Sequence, residues 1–119
     1  MSSSQRSNYL RANRKRLALS QEEVAFLLGA EKGGKVCRYE RFFREPGLQT
    51  ALAYEAVFRT SVSALFPALY EKMEKEVAAR AKTLASRIQR RRPTRSNDRK
   101  QQTLKELSAP RSHNVRQKA

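Results

Sequence analysis

The 119-residue chain has one cysteine, one histidine and no tryptophan. Cys37 by itself cannot close an internal disulfide, and with His113 as the only imidazole there is no cysteine/histidine cluster to hold a structural zinc. Catalytic chemistry finds few of its usual groups, so no enzyme, no metal and no cofactor is expected. No apolar run approaches the roughly 20 residues that cross a bilayer, and the start, MSSSQRSNYL, shows no hydrophobic targeting segment. The expected location is the cytoplasm, with no membrane partner. Glycine and proline number only four each. They fall between segments of helical periodicity, and strand-like alternation is absent, which predicts an all-α fold.

Acidic side chains are scarce too. Lysine and arginine total 26 against 11 aspartates and glutamates, a formal charge of +15 that calls for a polyanionic partner, nucleic acid first. The imbalance is uneven. Residues 1–86 carry 15 basic and 9 acidic side chains (net +6), whereas residues 87–119 carry 11 and 2 (net +9). The length suits one domain with a single core, not all of the chain belonging to it.

Along the chain, residues 1–7 read as a flexible start. A first helix is expected over residues 8–16, with Tyr9, Leu10 and Leu17 inward and Arg11, Arg14, Lys15 and Arg16 outward. The second helix has the clearest start signal: Ser20 followed by Gln21, Glu22 and Glu23 is a capping box, and Gly29 can end the helix in a left-handed conformation. Val24, Leu27 and Leu28 form its apolar face. After a short polar loop, KVCRYERF forms a third helix with Val36 and Tyr39 on one side and Lys35 and Arg38 on the other. Pro46 and Gly47 precede a fourth helix, LQTALAYEAVF, whose Leu48, Leu52, Val57 and Phe58 are available to the core. Thr60 or Ser61 caps a short fifth helix containing Val62, Leu65 and Phe66, and Pro67 suits the first turn of a sixth. Residues 67–91 then read as a long amphipathic helix striped by Leu69, Met73, Val77, Leu84 and Ile88, with Glu71–Lys75 and Glu76–Arg80 pairs at its side. Pairing with a second subunit is its leading reading, ahead of packing on its own domain. Residues 92–119 carry too few large apolar groups to offset ordering entropy and are expected to be a disordered basic tail.

The informative segment is LSQEEVAFLLGAEKGGKVCRYE, a capped helix, a glycine turn and a second helix with an apolar spine and a polar front. Together with Pro-x-Leu-x-Thr-Ala-Leu after it and Val-Ser-Ala-Leu-Phe closing the core, it resembles the λ-repressor-like helix-turn-helix family, the Xre and Cro-type regulators, over residues 8–66. The resemblance implies a five-helix domain that acts as a dimer on double-stranded DNA, its third helix in the major groove. By position, Gln21 would contact a phosphate, and Lys32, Gly33, Gly34, Lys35 and Arg38 would face bases or lie close to the groove. Lys35 and Arg38 can donate to guanine O6 and N7, and the two glycines can present backbone N–H groups to a phosphate. Arg14, Arg16 and Arg41 complete the expected DNA-binding set. The turn AEKGGK is one residue longer than is usual in the family and carries glycines where polar base-reading side chains are common. That leaves phosphate contact, shape reading and a reader helix ordered by DNA as open alternatives.

The resulting expectation is a sequence-specific, nucleoid-associated transcriptional regulator, most simply a repressor, with a tail that anchors non-specifically. Its rival is an antitoxin-like interaction protein that masks a protein partner through the long helix or tail and binds DNA secondarily.

Overall fold

The computed structural model describes residues 8–30 and 32–109. The expected flexible start, 1–7, and the last part of the expected tail, 110–119, lie outside the described residues. Within them the chain is all-helical: α1 (Leu10–Arg16), α2 (Gln21–Leu28), α3 (Gly34–Glu40), α4 (Leu48–Phe58), α5 (Val62–Leu65), α6 (Pro67–Gln89) and α7 (Arg95–Leu107). It divides into two compact units, one ending at Tyr70 and one starting at Glu71. Each has its own core, where a single core was expected.

In the first unit Leu10, Val24, Ala25, Val36, Tyr39, Tyr54, Phe58 and Leu65 form the core. Local chemistry sets the helix ends. The Ser20 hydroxyl accepts from the Glu23 N–H and the Glu23 carboxylate accepts from the Ser20 N–H, the reciprocal box expected from the sequence. Gly29 closes α2 at φ 85°, its N–H donating to the Phe26 carbonyl and that of Ala30 to Ala25. With so few glycines in the chain, other helix ends use residues that pay a steric penalty: Ala18, Phe42 and Arg59 adopt φ 62°, 67° and 54°.

Several residues expected in this core lie outside it. Leu27, Leu48 and Leu52 are exposed, as are Tyr9 and Leu17. A short helix offers the core only about a third of its circumference. In α4 that sector belongs to Ala51, Tyr54 and Phe58, which share a face at three- and four-residue spacing and turn the two leucines outward. In α2, Val24 and Ala25 fill it.

The second unit holds most of α6, and α7. The expected stripe of large side chains on α6 is not its buried line: Met73, Val77 and Leu84 are 42%, 43% and 40% exposed. Ala81, Ala85 and Ile88 are instead the residues that pack with Leu104 of α7. Alanines let two helix backbones approach closely, and the Gln101 side-chain amide donates to the Ala85 carbonyl at 3.0 Å. The Glu71–Lys75 and Glu76–Arg80 pairs form, at 3.8 and 3.7 Å. The expected disorder from residue 92 is corrected by α7. The Thr94 hydroxyl caps it by accepting from the Asn97 N–H, and the Asn97 side chain donates to the Arg92 carbonyl. Burial of Leu104 against α6 supplies the apolar contact that the isolated segment lacks.

Candidate nucleic-acid interface

The region containing the predicted site residues is built on one buried carboxylate. Glu40, at the end of α3, has a side chain only 3% exposed. Its Oε2 accepts from Arg14 Nε at 2.6 Å, and its Oε1 accepts from Arg14 Nη2 at 3.2 Å and from Gln21 Nε2 at 3.1 Å. Arg14 Nη1 also donates to the Leu19 carbonyl at 3.0 Å. A planar guanidinium gripping a carboxylate with two bonds fixes distance and angle together, so α1, the start of α2 and α3 are locked to one another. The bond to Glu40 raises the Arg14 pKa above its ordinary value, outweighing the opposing effect of burial. Beneath lies Tyr54, fully buried, with its ring edge-on to Tyr39 at 6.1 Å. Burial pushes its hydroxyl pKa well above the ordinary 10.0, and the charge of Glu40 adds to the shift.

The start of α3 is held against α2 by glycine. The Gly33 N–H donates to Glu22 Oε2 at 3.1 Å, and a Cβ at Gly33 would lie 3.2 Å from both the Gln21 carbonyl carbon and the Glu22 nitrogen. Backbone atoms cannot swing aside as a side chain can, so a Cβ here would push the α2 backbone away by a few tenths of an ångström. Gly34, one residue on, has open space where a Cβ would stand.

From this scaffold α3 projects its cations. Val36 and Tyr39 face the core while Lys35 and Arg38 are turned away from it, as the spacing predicts. Lys32 stands exposed before the helix and Arg41 exposed after it, its guanidinium 5.2 Å from the centroid of the Phe43 ring. A groove of about 1050 Å³ lies at the end of α3, lined by Arg11 and Lys15 of α1, by Arg41, Phe42 and Phe43, and by Arg14, Gln21 and Glu40. Among the described residues the ion pairs are Arg14–Glu40, Glu71–Lys75 and Glu76–Arg80. Arg11, Lys15, Lys32, Lys35, Arg38 and Arg41 therefore reach solvent without an acidic partner among those residues.

The expected DNA-binding set thus divides. Lys32, Gly34, Lys35, Arg38 and Arg41 are accessible. Arg14 is committed to Glu40, so the expectation that it faces outward is corrected: its guanidinium bonds lie inside the fold. Gly33 is buried and its N–H is taken by Glu22, which removes it as a phosphate donor. Gln21 gives one amide hydrogen to Glu40 and keeps a second at the groove wall. Arg16 is exposed, but its guanidinium is tied back to the Asn13 side chain at 2.9 Å and the Phe58 carbonyl at 3.4 Å. The adjacent rings of Phe42 and Phe43 carry no inward-facing member: they are 41% and 66% exposed. The left-handed backbone at Phe42 ends the helix and turns both rings to the groove.

Among the described residues no group of three metal-ligating side chains comes together, and no helix is long and apolar enough to cross a membrane. Comparison of the chain with family models, curated proteins and solved structures returns no match.

Proposed function

We propose that this chain is a DNA-binding regulator of the λ-repressor-like helix-turn-helix kind, with α1–α5 as its five-helix domain, α2 and α3 as the reading pair, and repression by operator occupancy as its action on the nucleoid. The observation that carries the reading is the mounting of α3. It is short, pinned at its start by Gly33 on α2 and at its end by Glu40 on Arg14, and it shows Lys35 and Arg38 to solvent without an acidic partner among the described residues. A reader helix needs that rigidity, because a bidentate bond to guanine tolerates little error in position. The groove beside it supplies Arg11, Lys15 and Arg41 for phosphates, with the free amide hydrogen of Gln21 between them.

Operators read by such proteins are usually paired half-sites, which calls for a dimer. The exposed Met73 and Val77 of α6 support pairing along that helix. The deciding experiment selects bound duplexes from random sequence with the full chain. An enriched inverted repeat is expected; recovery of unselected DNA would defeat the reading. Arg38→Ala should then lower affinity for the selected site by about tenfold or more while changing random-duplex affinity much less. Equal losses would remove Arg38 from base reading.

A further inference from the structure

The α6–α7 hairpin has a groove of its own. It measures about 770 Å³, within the range of sites that hold ligands. Its floor is apolar, formed by Leu84 and Ile88 of α6 and Leu104 of α7, and its rim is cationic, formed by Arg95, Arg99 and Lys100. Arg95 and Arg99 stand one turn apart on α7, so the charges follow the helix axis. None of the three has an ion-pair partner among the described residues. Leu84 remains 40% exposed while Ile88 and Leu104, deeper in, are buried.

We infer that this hairpin is a docking surface for an acidic amphipathic helix supplied by another protein. Two features of the groove must be satisfied together. The rim asks for carboxylates spaced along a rod, and the floor asks for apolar side chains on the same rod one face round. An amphipathic helix with glutamates flanking a leucine stripe meets both, and α7, about 20 Å long at about 1.5 Å per residue, offers length for three to four turns of it. The chain's own last ten residues, PRSHNVRQKA, carry Arg111, Arg116 and Lys118 and no carboxylate side chain, so the rim repels them. A nucleic-acid backbone would satisfy the arginines and leave Leu84 against phosphates, without an apolar partner. A second copy docked groove to groove would set the same cationic rim against itself. The hairpin alone carries this surface, whether or not α3 reads DNA.

The test uses the full chain and a fluorescent 15-residue synthetic peptide with leucines at i, i+3, i+4 and i+7 and glutamates between them, beside a scrambled peptide of equal composition. At physiological salt the ordered peptide should bind at least about tenfold tighter than the scramble. Leu84→Glu, and separately the pair Arg95→Glu with Arg99→Glu, should each weaken it about tenfold or more. Leu84→Ala, a milder change at a half-exposed position, keeps the test decisive if the glutamate variant misfolds. Saturating duplex DNA should leave the peptide bound, and Leu84→Glu should leave the sedimenting mass of the chain unchanged.

Absence of binding up to about 100 μM peptide, equal binding of the scramble, or indifference to both sets of variants would overturn the inference. Displacement of the peptide by duplex would overturn it in favour of a phosphate-binding rim. A change of mass in Leu84→Glu would overturn it in favour of a second copy.

Discussion

Glu40 is a buried charge whose hydrogen bonds to Arg14 and Gln21 satisfy both oxygens. Removing one partner of such a pair strands the other, at a cost of about 3–5 kcal/mol. Arg14→Ala should therefore lower unfolding stability by about that amount in urea titration, whereas Gln21→Ala, which leaves the guanidinium grip intact, should cost only about 1 kcal/mol. A small effect of Arg14→Ala would mean that the pair does not hold α1 to α3. Tyr54 presents the opposite case. Its hydroxyl is buried and finds no hydrogen-bond partner among the described residues. Tyr54→Phe removes an unsatisfied group while keeping the ring that packs on Tyr39 and Phe58, so stability at neutral pH should hold or rise by about 1 kcal/mol. The raised pKa adds a signature. Because the hydroxyl ionises less readily in the fold than in the unfolded chain, its contribution is complete below about pH 10 and is lost as pH climbs above that value. Thermal melts from pH 8 to 11 should show a shallower alkaline decline for Tyr54→Phe than for the parent chain.

Among the elements, α2 and its two ends are the most legible in the sequence, because Ser20, Glu23 and Gly29 act through backbone bonds within a few residues. The two faces of α3 are legible for the same reason of short range. What escapes is decided between elements. Apolar spacing alone does not say which of two possible faces of α4 meets the core, so it points Leu48 and Leu52 inward and passes over Tyr54. α7 escapes because a single buried leucine makes it cohere, and that leucine needs Ala81 and Ile88 from residues far back in the chain. The glycine pair before and within α3 reads as a place for DNA, since no local signal reports that the α2 backbone lies 3.2 Å from where a Cβ would stand. That contact makes a paired prediction. Gly33→Ala must displace backbone atoms and should destabilise by about 1–3 kcal/mol, while Gly34→Ala adds a better helix former in open space and should stabilise by about 0.5–1 kcal/mol. Thermal denaturation of the two variants should move in opposite directions; a shared sign would show that the α2–α3 contact is looser than described.

For the whole molecule, charge dominates. Under the proposed DNA-binding reading Arg11, Lys15 and Arg41 are the cations offered to phosphates, and each neutralised phosphate contributes a slope of about −0.9 in a log–log plot of affinity against salt. A slope of about −3 per protomer is expected from the first unit under that reading, and a steeper one would point to further phosphate contacts from other cations, including those beyond residue 86. Fluorescence anisotropy across a salt series measures it directly. The two cores differ in size as well. Eight buried residues hold the first, whereas Ala81, Ile88 and Leu104 hold the second. Local opening follows the amount of buried contact, so amide hydrogens of α7 should exchange well before those of α2 and α4. Exchange at one common rate would indicate that the two units open together.

The vacancy beside Gly34 has a practical side. It lies in the first turn of the helix proposed to read bases, next to a residue whose N–H anchors that helix to Glu22. A library built at position 34 alone would sample new side chains whose Cβ meets no neighbour within 4 Å. If α3 reads bases as proposed, sequence preference could be altered from that one position with the Gly33 and Glu40 anchors left untouched.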